Sequence, residues 1–156
     1  MEFITKSEKE TKKLGKLFAK KIKNLKLKKA IVFCLSGELG GGKTTFVKGL
    51  AKGFGIKKRI LSPTFLIMRR FQTKEKKFKN FYHFDCYRIN DPKEILKLNF
   101  KKIISLPFNI VAIEWGEKIE KILPKDSIKI NFEFIDQKTR KISVKNGKIF
   151  RWKRDC

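Results

Sequence analysis

Residues Leu35 to Phe46 read LSGELGGGKTTF. Gly37, four further residues and then Gly42-Lys43-Thr44 reproduce the spacing G-x-x-x-x-G-K-[ST] of a phosphate-binding loop. Each residue type has a task in that chemistry. Glycines let successive backbone N–H groups turn inward and form a concave nest for phosphate oxygens. A side chain at Gly40 or Gly42 would block the close approach. Lys43 brings a compact positive charge to the β- and γ-phosphates, and Thr44 brings a hydroxyl oxygen for Mg2+. The loop as a whole, Glu38, Leu39, Gly40, Gly41, Gly42, Lys43, Thr44 and Thr45, is the candidate nucleotide contact.

A phosphate nest binds; turnover also needs a carboxylate for the metal and its waters and a group to place the nucleophile. In NIVAIEW, Asn109 to Trp115, four apolar residues run into Glu114. A buried strand would carry that carboxylate to the same sheet edge as the phosphate loop. Asp85, in FYHFDCYR, ends a second aromatic strand, and its other role would be an ion pair with nearby Arg88. Which of Asp85 and Glu114 positions the attacking water stays open at this level. His83 is the one histidine of the chain, and on an apolar strand it reads as a structural residue before it reads as a ligand. Thr64, in SPTF, has two readings that stand side by side: a switch hydroxyl that senses the γ-phosphate, and an ordinary turn threonine.

These groups need elements to hold them. Ala30 to Leu35 is a continuous apolar run with β-branched and aromatic members, which predicts a buried strand. After the loop, Phe46, Val47, Leu50, Ala51 and Phe54 recur at helical spacing over residues 44–54, with Gly53 and Gly55 as the stop. Strand, glycine loop and helix follow in the order that aims a helix N-terminus at the phosphate. Residues 7–25 predict a helix opened by the capping box Ser7-x-x-Glu10. FLIMRRF and FYHFDCYRI, joined by a lysine-rich turn, predict a hairpin. Asp91-Pro92 opens a short helix, with Asp91 as N-cap, Pro92 first and Glu94 in its first turn. SIKINFEFI and RKISVK alternate as a second antiparallel pair. The fold class expected is α/β: a single P-loop NTPase domain over 1–156 with a mixed, partly antiparallel sheet flanked by helices, ending in a basic tail at 147–156.

Bulk composition narrows the partners. A chain of 156 residues with 41% hydrophobic and 12% aromatic content can bury a core and is not disordered in character. No apolar run reaches the ~18–20 residues of a membrane span. The N-terminus, MEFITKSEKETKKLGKLFAKKIK, has no apolar signal core, so the cytoplasm is the expected compartment. Cys34, Cys86 and Cys156 are odd in number and match no zinc spacing, so reduced, separate thiols are expected. The net charge of +25 has two readings: a polyanionic partner such as RNA, or a lysine-rich compositional bias in which only seven of the positive residues are arginine.

Taken in order, GELGGGKTTFVKGLAKGFGI, SPTF, YHFDCYRINDPKEI and IEWGEKIEKILP resemble the bacterial TsaE family, also written YjeE, over roughly residues 8 to 145. The resemblance implies a small cytoplasmic ATPase that uses ATP and Mg2+ and supports threonylcarbamoyladenosine formation in tRNAs reading ANN codons. It implies the partners TsaB and TsaD and hydrolysis that is weak alone and stronger with them; under the polyanion reading of the charge, the basic surface would come close to tRNA. By position it implies Lys43 and Thr44 on phosphate and metal, Glu114 near Mg2+, Asp85 in activity, Thr64 in a switch-like loop, and Trp115 beside the nucleotide. Glu38 and Gly41 depart from the family pattern, where Asp and Ala are usual, as do Cys86 and Asn99. Two other classes remain to be distinguished. A small-molecule kinase would carry an arginine-rich lid and an acceptor pocket. A basic RNA-binding module with a vestigial loop would bind RNA without regard to ATP.

Overall fold

The structure, a computed structural model, describes residues 1–61 and 66–146. Thr64 and the basic tail at 147–156, with Cys156, lie outside the described residues. The elements in chain order are β1 (Glu2–Thr5), α1 (Glu8–Lys23), β2 (Ile31–Gly37), α2 (Lys43–Gly53), β3 (Met68–Gln72), β4 (Asn80–Asp85), α3 (Lys93–Leu96), α4 (Phe100–Ser105), β5 (Asn109–Glu114), a 3-10 helix (Gly116–Ile122), β6 (Ile128–Phe134) and β7 (Arg140–Lys145). They form one seven-stranded mixed sheet in the order β1-β7-β6-β2-β5-β4-β3.

Four strands at the centre, β6, β2, β5 and β4, run parallel. The apolar runs of β2 and β5 are continuous because both faces of the sheet are covered there. Side chains of successive residues alternate between two cores. Ile31, Phe33, Leu35, Ile110, Ala112 and Phe81 face α1 and α2 in the larger cluster. Val32, Val111, Ile113 and Phe84 face the opposite way with Ile95, Phe100, Ile103 and Ile119. Phe46 anchors the larger core, edge-on to Phe18 at 5.3 Å and to Phe132 at 5.7 Å between ring centres. Such pairs add about 0.5–1.5 kcal/mol beyond the area they bury.

Ser7 caps α1 as expected: its Oγ accepts from the N–H of Glu10 at 3.1 Å. The Glu10 carboxylate reaches back to the N–H of Lys6 at 2.6 Å, one residue before the cap. α1 and α2 then pack with their backbones almost touching. A Cβ on Gly49 would lie 2.1 Å from the carbonyl oxygen of Lys12, and one on Gly15 would lie 2.4 Å from that of Phe46. Gly53, expected as a helix stop, is the last residue of α2 and serves the same contact, since a Cβ there would meet Ala19 Cβ at 2.4 Å. The chain leaves the helix through Phe54 and Gly55, the latter at φ 76°.

Both expected antiparallel pairs form, β3 with β4 and β6 with β7. Three elements have no counterpart in the sequence reading. β1 spans four residues and is held by pairing with β7. α4 and the 3-10 helix are short and begin at Asn99 and Trp115, non-glycine residues in the left-handed region. At the expected α3 start, Asp91 Oδ1 accepts from Lys93 N–H and Glu94 Oε1 accepts from Asn90 and Asp91, so the capping groups act one residue earlier than the helix is counted. Among the described residues no helix is long and apolar enough to cross a membrane.

Candidate active site

Parallel strands end at one sheet edge, and that geometry assembles the site. β2 ends at Gly37, β5 at Glu114 and β4 at Asp85. Leu35, Glu114 and Asp85 lie side by side in register across the three strands. Above them opens a cavity of about 970 Å³, lined by Leu39 through Thr45, Asp85, Glu114 and Trp115 among others. That is the upper end of the range for small-ligand pockets, about 300–1,000 Å³.

Gly37 turns the chain out of β2 at φ 120°, where its missing Cβ would lie 2.1 Å from the carbonyl oxygen of Phe132 on β6. Gly40 differs in kind. At φ 75° it is conformationally suited to glycine, yet a Cβ there meets no protein atom and would project into open space. Lys43 opens α2, with its ammonium donating to the carbonyls of Gly37 at 2.6 Å and Glu38 at 2.8 Å. The charge sits 4.2 Å from the centre of the Trp115 ring, within reach of its π face. Lys43 is only 5% exposed, and burial pulls its pKa below the usual lysine value; Glu114, Glu117 and Asp85 oppose that shift.

Thr44 Oγ1 donates to Glu114 Oε1 at 2.5 Å. The other oxygen, Oε2, lies 2.8 Å from His83 Nε2, and Glu114 is 2% exposed. His83 is fully buried, and its Nδ1 has no hydrogen-bond partner, so the structural reading of this histidine covers one ring nitrogen and not the other. Asp85 is half-buried, and its Oδ1 accepts from Tyr87 N–H at 3.0 Å. Trp115 leaves β5 at φ 58°, and this left-handed turn carries its indole to the cavity wall, 5.1 Å from the Tyr87 ring. Such backbone positions are rare for non-glycine residues and gather at functional sites.

Among the described residues no group of three or more His, Cys, Asp or Glu could hold a metal ion by itself. The donor set that does converge, the Thr44 hydroxyl and the Glu114 carboxylate, consists of hard oxygens in a small number. That fits Mg2+, which takes few protein ligands and completes its shell with substrate phosphates and water.

The structure brings Leu39, Gly40, Gly41, Gly42, Lys43, Thr44, Thr45, Asp85, Glu114 and Trp115 to one cavity. Glu38 joins through its carbonyl, while its side chain is exposed and is not part of the lining. Leu39 is 78% exposed at the rim. Sequence reasoning missed the far wall, made by Lys6, Ser7 and Thr11 at the start of α1 and by Gln137, Lys138 and Arg140 around the start of β7. Arg140 braces the loop: its Nε donates to the Gly40 carbonyl at 3.0 Å while its guanidinium lies 4.5 Å from the centre of the Phe134 ring. The capping box at Ser7 marked a helix N-terminus there, and nothing local in TRKISVK marks Arg140. The free thiols Cys34 and Cys86 are buried, which raises their pKa to about 11 and about 12 and leaves them protonated and inert at neutral pH.

Comparison with known proteins follows this geometry. The family described as threonylcarbamoyl adenosine biosynthesis protein TsaE matches residues 5–142. The tRNA threonylcarbamoyladenosine biosynthesis protein TsaE of Rickettsia typhi is 39% identical over 140 residues, covering 89% of this chain and 90% of the relative. That of Haemophilus influenzae is 36% identical over 124 residues, covering 80% and 76%. Among solved structures, YdiB of Bacillus subtilis superposes with a TM-score of 0.67 at 29% identity, covering 92% of this chain and 83% of that one.

Proposed function

The chain belongs to the TsaE family of threonylcarbamoyl adenosine biosynthesis proteins, and from that premise we propose that it is a Mg2+-dependent ATPase acting on the TsaB–TsaD complex between rounds of tRNA modification. One observation carries the reading. The Thr44 hydroxyl of the phosphate loop and the Glu114 carboxylate of the neighbouring strand meet at 2.5 Å inside the cavity. A loop that only held phosphate would not need a buried acid at that spot.

ATP would lie with its phosphates over the loop amides from Leu39 to Thr45, next to the Lys43 ammonium and the N-terminus of α2. Lys43 donates to the carbonyls of Gly37 and Glu38, and from there it can turn to charge developing on the β- and γ-phosphate oxygens. Thr44 and Glu114 would hold Mg2+. Held there, the ion would supply positive charge to neutralise the phosphates during hydrolysis. Asp85, half-buried on the adjacent strand and lining the same cavity, and Glu114 are the two carboxylates that could orient the attacking water. Trp115 packs against Lys43 and limits water on that side. Thr64 retains its proposed part in sensing the γ-phosphate, and the basic surface its proposed nearness to tRNA. A cytoplasmic location goes with both.

The test is ATP hydrolysis by the purified chain, alone and with its cognate TsaB–TsaD pair, with Lys43→Ala as the control. Stimulation by the pair that disappears in the variant is the expected result. An equal rate in the variant, or no change on adding the pair, rejects the proposal.

A further inference from the structure

His83 and Glu114 belong to adjacent parallel strands and share a sheet face. His83 stands opposite Ala112, and Glu114 lies two residues beyond Ala112 on that same face. A methyl group opposite leaves the imidazole room to slant along the strand to its diagonal neighbour. It does so: His83 Nε2 reaches Glu114 Oε2 at 2.8 Å, with both side chains out of solvent. A carboxylate has no hydrogen to give, so the hydrogen of this bond is on Nε2. Glu114 is thereby held by one donor on each oxygen, Thr44 from α2 and His83 from β4. Thr44 is itself a proposed metal ligand, and its hydroxyl serves two partners. His83 serves Glu114 alone.

Packing does not account for the residue. Nδ1 is buried with no hydrogen-bond partner, a cost to folding that an apolar ring would avoid. The same strand uses phenylalanine at 81 and 84, both fully buried. What histidine adds at 83 is the Nε2 donor.

We propose that His83 is a positioning residue, whose Nε2–H fixes the Glu114 carboxylate in the orientation that receives Mg2+ beside Thr44. The proposal rests on the ATPase reading. Partners of this kind, one bond behind a metal ligand, change metal affinity by about 10–100-fold when removed.

Two substitutions separate a donor from a filler. Glutamine can carry an amide N–H about as far as Nε2, whereas asparagine is one carbon shorter; both lose the ring. Binding of a fluorescent ATP analogue is titrated with Mg2+. His83→Asn is expected to raise the Mg2+ needed for half-maximal binding about 10–100-fold, and His83→Gln to stay within about three-fold of the parent. Binding without Mg2+ is expected to be equal in all three. Parent-like Mg2+ dependence in His83→Asn, or equal weakening in both variants, overturns the proposal. A second measurement does not need the variants to fold. The chain has one histidine, so 15N-labelling gives one set of ring signals. The expected form carries hydrogen on Nε2, and hydrogen on Nδ1 alone overturns the assignment. A parent protein that binds no analogue with Mg2+ rejects the ATPase reading and this proposal together, and that result is visible before any variant is made.

Discussion

The four parallel strands at the centre of the sheet and the antiparallel strands at its edges are built under different constraints. β2 and β5 have a parallel neighbour on each side and a packed core on each face. A slip of one residue would turn every buried side chain to the opposite core, so their register is tightly specified. That rigid region carries the candidate site, with Gly37, Glu114 and Asp85 at three adjacent strand ends. β1, β7 and β3 expose much more of their surface. They supply walls and braces to the cavity, through Arg140 and the turn before α1, and none of the groups proposed to meet Mg2+. The difference teaches that precision in this molecule is concentrated where the backbone has least freedom to shift.

That contrast can be broken or sharpened by experiment. The largest effect should come from Glu114→Ala, which removes the acid that Thr44 and His83 hold. Turnover is expected to fall at least about 100–1,000-fold, with cooperative melting retained. A rate near that of the parent would mean that the centre of the sheet is not the catalytic region. Next is Phe46→Ala, in the core beneath the phosphate loop, which should cost about 3–5 kcal/mol in denaturant unfolding. A loss under about 1 kcal/mol would remove the claim that this face is tightly packed.

A smaller effect concerns pH. Burial raises the Cys34 thiol from an ordinary 9.0 to about 11, so between those values the folded chain keeps a proton that the unfolded chain has lost. The associated stability is full below pH 9 and is lost as pH rises towards 11, by about 2–3 kcal/mol. Cys34→Ala should flatten that part of the stability profile, and an unchanged slope would contradict the assignment. The smallest effect belongs to the edge. Lys141 and Glu2 pair at 3.3 Å between β7 and β1, with Glu2 well exposed. Glu2→Gln should change stability by under about 1 kcal/mol and leave turnover untouched.

The same contrast governs what could be read from the sequence. The strand before the phosphate loop and the strand ending in Glu114 are continuous apolar runs because both faces are buried, so they stand out without any knowledge of their neighbours. Gly37, Lys43, Thr44 and Glu114 could therefore be placed at one edge before the fold was known, and Asp85 only at the end of a further strand. β1 could not, since four residues of which only Thr5 is buried carry too little pattern and depend on β7 for their conformation. Arg140 reaches the loop across 100 residues of chain, a contact made by topology alone. His83 was visible as a residue but not as a partner of Glu114, because that pairing depends on the β4–β5 register and on an alanine at 112.

The contact between α1 and α2 has a mechanical consequence. Gly15 and Gly49 let the two helices touch backbone to backbone, with no side chain between them to act as a cushion. The start of α1 forms one wall of the cavity, and the start of α2 carries Lys43 and Thr44. Wall and loop are therefore clamped into a single stiff jaw. A side chain at Gly49 that pried the helices apart would shift the α1 wall together with Lys43 and Thr44, while Tyr87 and Arg88, which follow β4, line the cavity from another element.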